Sequence, residues 1–213
     1  MFISKNKGTF ISFEGIDGCG KSTQVELLLK RLKKEEIDCI FVREPGGTDI
    51  SEKIRKILLS NKNNNLSSRT EALLMTASRA QLTKETILPA LEDGKCVIAD
   101  RFKDSTLAYQ GAGRGINMDY LYDLNNFATN NIEPQLTILL DIDPNNSFTR
   151  SYQEDNDRIE NAGLIFQTKV RKGYLELADK YPNRIYKIDA SQRIELIHST
   201  IWEKTINCIN VEN

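Results

Sequence analysis

Residues Thr9–Thr23 read TFISFEGIDGCGKST. Phe10, Ile11 and Phe13 alternate with polar neighbours in a short run that suits a buried strand. Gly15, four further residues, Gly20, Lys21 and Ser22 then fit G-x-x-x-x-G-K-[ST] without a mismatch. Val25, Leu28, Leu29 and Leu32 follow at helical spacing. Strand, glycine loop and helix in that order is the context of a phosphate-binding loop. Glycines let backbone N–H groups turn toward phosphate oxygens, and the helix N-terminus adds free donors and partial positive charge. Lys21 supplies a mobile cation and Ser22 a hydroxyl for Mg²⁺. The chain is therefore expected to bind a nucleoside triphosphate.

Working outward, Asp38–Arg43 reads as a second strand, Cys96–Asp100 and Leu136–Asp141 as two more, and Arg184–Ile188 as a fifth. Helical patterns alternate with them. The expected fold is α/β, a doubly wound five-stranded parallel sheet with helices on both faces, in one domain over residues 1–213. Ser68 to about Leu91 reads as a long helix, capped by Ser68 with Glu71 as its capping-box partner and frayed at Pro89. Asp143-Pro144 starts another helix, and Gln192–Ile209 is the last. Residues 150–161 are polar without apolar periodicity, the pattern of a mobile lid or of a solvated loop.

Several stretches carry two readings each. Arg43–Thr48, REPGGT, is a turn after a strand; its place at a carboxyl end also suits a ligand crevice faced by Arg43 and Glu44. Arg79 lies on an apolar helix, at the stripe's solvated edge or in a site. Asp100 and Asp141 each end an apolar strand, and either suits a metal-organising carboxylate. Asp104–Gly115 is a loop or a polar lining made by Ser105, Tyr109 and Gln110. Cys19 sits between glycines near Lys21, a setting for a reactive thiolate or for an inert residue filling the turn.

Bulk properties exclude other classes. A net charge of −1 argues against a large nucleic-acid footprint. There is no apolar run long enough for a membrane span, and the N-terminus MFISKNKG lacks a signal-peptide core. Four widely spaced cysteines fit reduced thiols in a cytoplasmic protein. His198 is the only histidine, so histidine-based triads are out. Asn61-Lys62-Asn63-Asn64 lacks the Asp of a guanine-reading motif.

With FEGIDGCGKST, REPGGT, SRAQ followed by PAL-x-x-G, and DRFKDSTLAYQGAGRG in order, the chain resembles the thymidylate kinase family, which phosphorylates dTMP with ATP. The resemblance implies that Gly15, Ile16, Asp17, Gly18, Cys19, Gly20, Lys21, Ser22 and Thr23 hold ATP phosphates, with Ala190 and Ser191 against adenine. It implies a dTMP site of Asp17, Glu44, Met75, Arg79, Arg101, Ser105, Thr106, Tyr109 and Gln110. Mg²⁺ would rest on Ser22 and Asp100. Catalysis would fall to Lys21, Arg101, Asp17 and a lid cation. Gly18 stands where some members carry arginine, which leaves Arg150 and Arg158 as lid cations, and Asp157-Arg158-Ile159-Glu160 points to Arg158. Met75 stands where members usually carry Phe. The resemblance also implies a homodimer, with helices such as Thr70–Leu88 at its interface. Alternatives are a related P-loop kinase acting on a deoxynucleoside, with Glu44 as base, and a nucleotide-binding module without turnover.

Overall fold

The computed structural model describes residues 8–151 and 157–211, without the side chains of 148–151 and 211. Its strands are β1 (Phe10–Glu14), β2 (Cys39–Arg43), β3 (Cys96–Asp100), β4 (Leu136–Asp141) and β5 (Ile185–Asp189). All neighbouring pairs are parallel, in the order β2-β3-β1-β4-β5. The helices are α1 (Lys21–Lys34), α2 (Asp49–Leu59), α3 (Ser68–Leu82), α4 (Leu88–Glu92), α5 (Lys103–Thr106), α6 (Met118–Thr129), α7 (Pro144–Ser151), α8 (Leu164–Lys180) and α9 (Ile194–Val211). The five-stranded α/β expectation holds.

The strand order places the site. From β1 the chain crosses β3 to reach β2, and from β3 it crosses β1 in the opposite direction to reach β4. Right-handed crossovers then send the connections leaving β1 and β3 to opposite faces. The crevice between their carboxyl ends is where open parallel sheets bind ligands. The phosphate loop leaves β1 there, and Asp100-Arg101 leaves β3.

Local details differ from expectation for identifiable reasons. All five β1 residues are buried, because a central strand has no solvent face. Its polar Ser12 is satisfied by Thr137, with the two hydroxyl oxygens 2.8 Å apart. Ser67, not Ser68, caps α3: its Oγ accepts from Thr70 N–H at 3.2 Å. Glu71 is thereby released from capping and turns inward. The long helix continues past Leu82 through a π-helical turn, Thr83–Ile87, into α4. Pro89 lies inside that helix; it has no N–H for the carbonyl four residues back, and the wide turn accommodates the loss. The 104–115 stretch is helical, not a loop: α5 runs into a π-helical segment, Leu107–Gly113. Gly113 permits this, since a Cβ there would meet the Phe166 ring of α8 at 2.6 Å. Of the expected lid, residues 152–156 and the side chain of Arg150 lie outside the described residues.

Candidate active site

The phosphate loop has two features that aim it at an anion. Gly15 has φ +140°, and a Cβ there would meet the Leu140 carbonyl oxygen at 2.5 Å, so only glycine fits the loop's closest approach to β4. Helix α1 begins at Gly20 without a side-chain cap and without an acidic residue in its first turn. By contrast Thr48, Ser67 and Asn117 cap α2, α3 and α6. The first amides of α1 are thus left as donors, at the positive end of a helix dipole.

A cleft of about 850 Å³ opens along this loop. Asp17, Gly18, Cys19, Gly20, Lys21, Ser22 and Thr23 line it, as do Glu44, Met75, Arg79, Asp100, Arg101, Ser105, Thr106, Tyr109, Gln110 and Ala190. Four expected residues are elsewhere. Gly15 and Ile16 lie behind the loop, where their carbonyls accept from Lys21 Nζ at 3.1 and 3.0 Å. Ser191 turns away onto Asp189, its Oγ donating to Oδ1 at 2.7 Å. Arg158 is buried outside the cleft lining: Nη2 lies 2.6 Å from Glu71 Oε2, and Nε donates to the Leu58 carbonyl at 2.8 Å. The pull of a buried carboxylate on α3 explains why that arginine does not face the phosphate loop. Its neighbours Asp157, Ile159 and Glu160 do line the cleft.

Two cations meet over one atom. Lys21 Nζ and Arg101 Nη1 both donate to the Gly15 carbonyl, at 3.1 and 3.0 Å. Arg101 sits in the left-handed region, φ +72°. Its Nη2 donates to Asp17 Oδ1 at 2.6 Å and to the Tyr109 hydroxyl at 3.1 Å. Tyr109 and Gln167 donate to Asp17 Oδ2 at 2.9 and 3.0 Å. Burial works to raise the pKa of Asp17, but the Arg101 and Lys21 charges hold it below the usual carboxylate range. Asp17 is anionic at neutral pH. Burial pushes the Tyr109 phenol well up, so it stays a donor.

The far end of the cleft is a buried polar cluster. Arg79 is 1% exposed, not solvated. Its Nη2 lies 2.5 Å from Glu44 Oε2, and its Nη1 donates to Thr106 Oγ1 and Asn125 Oδ1 at 2.8 and 2.7 Å. Burial raises the Glu44 carboxyl against the pull of Arg79. Gln110 donates to Glu71 Oε1 at 3.0 Å. Glu71 also holds Arg114, through Nε at 3.1 Å and Nη2 at 3.2 Å. Burial would raise the Glu71 pKa, but donation from Arg114 and Gln110 lowers it.

Of the two candidate metal carboxylates, Asp141 is taken by Arg171, whose Nε and Nη2 donate to it at 2.7 and 3.1 Å. Asp100 lies in the cleft with a buried Oδ1 that has no hydrogen-bond partner among the described residues. A cation fits such an oxygen. No cluster of three or more His, Cys, Asp or Glu side chains forms a metal site among the described residues. Cys19 is 2% exposed and packs into the core, its Sγ 3.6 Å from Lys21 Nζ. It fills the turn. His198 is half-buried on α9, away from the cleft, and burial lowers its pKa.

Sequence reading missed several members of the site. Arg55 on α2 lines the cleft and donates to the Pro45 carbonyl at 2.8 Å; its only signal is the helical spacing after the Thr48 cap. Glu14, Glu71, Gln167 and Tyr174 act from behind the lining, and the last two arrive from α8 with no local signal at all.

The sequence matches the thymidylate kinase family model over residues 13–201. A thymidylate kinase of Thermoanaerobacter sp. (strain X514) is 47% identical over 195 residues, 92% of this chain and 96% of that protein. One from Kosmotoga olearia is 46% identical over 201 residues, 94% and 96% of the two chains. The crystal structure of thymidylate kinase from Ehrlichia chaffeensis superposes with a TM-score of 0.76 at 33% identity, covering 93% of this chain and 99% of the other. With its phosphate loop, parallel sheet and two-cation cleft, the chain belongs to the thymidylate kinase family.

Proposed function

We propose that this enzyme transfers the γ-phosphoryl group of ATP in line to the phosphate of dTMP, giving dTDP. ATP-dependent phosphorylation of dTMP is the activity of the family to which the chain belongs. The observation that carries the assignment of roles is the convergence of Lys21 and Arg101 on the Gly15 carbonyl. Lys21 comes from the phosphate loop and Arg101 from β3, so the donor and acceptor phosphates meet between them.

Phosphoryl transfer asks for positioning and positive charge more than for covalent chemistry. The uncapped start of α1 and Lys21 cradle the donor phosphates. Arg101, with Arg43 and Arg55 on the same cleft wall, takes the acceptor phosphate. That phosphate is largely a dianion at pH 7, its second pKa being about 6, and needs no general base. Asp17 holds Arg101 in place until the acceptor exchanges for it. Ser22 and Asp100 are the residues that would hold Mg²⁺, which when bound neutralises charge on the β and γ oxygens. Arg79, Met75, Thr106 and Gln110 form the pocket for the base, and Tyr109 underlies the sugar. Ala190 faces adenine. The transition-state cations are Lys21 and Arg101; Arg158 is committed to Glu71.

A nucleoside kinase would need a free carboxylate base, and Glu44 is buried against Arg79. The part of the expected lid that the structure describes reaches the site in this reading, with Asp157, Ile159 and Glu160 in the cleft wall. A homodimer is supported by exposed Leu73, Tyr120 and Phe127 on the packed pair α3 and α6. No described helix is long and apolar enough to cross a membrane.

The test is an acceptor panel with ATP and Mg²⁺: dTMP, dUMP, thymidine and other nucleoside monophosphates. ADP release dependent on dTMP is expected. Faster turnover of thymidine than of dTMP would overturn the assignment.

A further inference from the structure

Glu14 ends β1, one residue before the phosphate loop, and is fully buried. It does not itself line the cleft. Its carboxylate nevertheless takes three donors. Oε1 accepts the Phe102 N–H at 2.7 Å. Oε2 accepts the hydroxyls of Ser105 at 2.6 Å and Tyr174 at 2.8 Å. A carboxylate can only accept, so both hydroxyls turn to it as donors, and they also face each other, their oxygens 2.8 Å apart. What each then offers on its other side is a lone pair. Arg101 Nη1 donates to both, to Ser105 Oγ at 3.3 Å and Tyr174 OH at 3.2 Å.

The backbone of Arg101 is held from the same place. At φ +72° it is in a region that a residue with a Cβ seldom adopts. Its own N–H is tied to the Phe13 carbonyl at 2.9 Å, and the next N–H, that of Phe102, is tied to Glu14. Glu14 thus grips Arg101 twice, by the turn that follows it and by the hydroxyls behind its guanidinium.

We infer that Glu14 is a positioning residue for the transfer: by setting the direction of the Ser105 and Tyr174 hydroxyl hydrogens and clamping the Phe102 amide, it aims Arg101 at the phosphates. This rests on the assignment of Arg101 to the acceptor phosphate. It adds a residue that never touches substrate.

A pH effect follows. Burial, and then the Asp104 charge, raise Glu14 to about 7, against Ser105, Arg101 and Tyr174, which lower it. Those are the groups around it: Asp104 on α5, which is itself paired with Arg184 at 2.6 Å, Arg101 after β3, Ser105 on α5 and Tyr174 on α8. Protonated Glu14 carries a hydrogen of its own. One hydroxyl must then turn its hydrogen away from Glu14, toward the other hydroxyl or toward Arg101, which rearranges the lone pairs that Arg101 meets. The folded-state value is raised, so the protonated form builds up as pH falls through about 7, and activity falls with it.

The experiment is Glu14→Gln, with kcat and the KM values for dTMP and ATP measured from about pH 5.5 to about pH 9. The amide keeps an oxygen for Phe102 but places donors before both hydroxyls. We expect kcat to fall by about 30-fold, as for a misaimed catalytic group, with the KM for ATP within about twofold. The substrate's own ionisation near pH 6 persists in both enzymes, whereas the limb at about 7 is present only in the wild type. In an Arg101→Lys background the same substitution should cost less than about threefold, because the two residues act as one unit. A merely structural role predicts equal losses in both backgrounds and an unchanged profile. If Glu14→Gln fails to fold, the double variant Ser105→Ala/Tyr174→Phe keeps the charge and cuts the relay; it should show the same dependence on Arg101. Wild-type turnover and pH profile in Glu14→Gln, or losses that add to those of Arg101→Lys, overturn this inference alone. A wild-type enzyme without dTMP-dependent ADP release overturns the assignment beneath it.

Discussion

In the proposed assignment, the donor half of the cleft is built from one unbroken stretch of chain, and the acceptor half from side chains scattered over the whole of it. Residues 15–24 supply the loop, its lysine, its hydroxyls and an uncapped helix start. These are mostly backbone groups, and their aim is set locally by glycine and by the helix dipole. The acceptor half joins Glu44 after β2, Met75 and Arg79 from α3, Arg101 after β3, and Thr106, Tyr109 and Gln110 from the helical run beyond it. These are side chains, each aimed by another buried side chain. The difference teaches that the two halves fail differently. The donor half should lose binding when one contact is removed. The acceptor half should lose folding or aim, because its polar groups are satisfied only by one another.

The largest expected effect breaks the acceptor half at its most buried pair. Arg79→Met strands Glu44, whose side chain and that of Arg79 are 4% and 2% exposed. Leaving one partner of such a pair uncompensated costs about 3–5 kcal/mol. Thermal unfolding should show a loss of that order. The donor-half counterpart, Lys21→Met, strands no anion, since its Nζ is held by two carbonyls and the nearby Asp17 keeps Arg101; its melting temperature should stay near that of the wild type while ATP turnover collapses. Equal destabilisation by the two variants would erase the distinction.

Next comes the place where the halves touch. Arg101→Ala should lower kcat at saturating dTMP by about 10²–10³-fold, as when one transition-state donor is removed, with ATP binding retained. Unchanged turnover would show that the Gly15 carbonyl is not the meeting point of the two phosphates.

Legibility followed the same division. The donor half could be read directly, because its chemistry is local and its spacing is fixed by the geometry of a strand, a turn and a helix. The parallel sheet was equally plain, since strands buried on both faces read as short apolar runs such as CVIAD and LTILLD. Arg101 came through only by resemblance to a family, whereas Arg79 and Gln110 carried two readings each from the residues alone; composition left Arg79 as readily a surface residue. What decides its burial is Glu44, 35 positions away in the chain, and no local pattern links the two. Glu71 was misread for a similar reason. Its spacing from Ser68 mimics a capping box, but the cap moved to Ser67 and freed the carboxylate for Arg114, Arg158 and Gln110. Arg158 was then expected at the phosphates because the partner that holds it could not be seen. The 104–115 stretch hid its helix, because Gly111 and Gly113 serve close packing against α6 and α8, and only Gly115, beyond the helical segment, takes a left-handed turn.

A smaller effect separates aim from chemistry at that arginine. Arg158→Ala removes one of two arginines on Glu71, and Arg114 and Gln110 remain. Its cost should therefore be below that of Arg79→Met, about 1–3 kcal/mol for an incompletely satisfied buried group. Turnover by the folded fraction should stay within about threefold, far from the loss expected of a transition-state donor. A drop comparable to that of Arg101→Ala would restore Arg158 to the reacting centre and require it to leave Glu71 during the cycle.

The smallest expected effect tests how tightly the acceptor half is packed where it is not polar. Met75 is half-buried on the cleft wall, one helical turn before Arg79. In the proposed base pocket its thioether would cover a base face by adaptable packing, and a ring in its place would stack with fixed geometry. The ring has room, because the position borders a cavity of about 850 Å³ and not a closed core. An aromatic pair adds about 0.5–1.5 kcal/mol beyond area burial, so Met75→Phe should lower the KM for dTMP by about threefold. Its kcat should not change, since a contact made equally in ground and transition states leaves the chemical step alone. A raised KM would mean that the wall at Met75 is shaped by Arg79 and Gln110 as closely as any core position, and that the polar rigidity of the acceptor half extends across its apolar face.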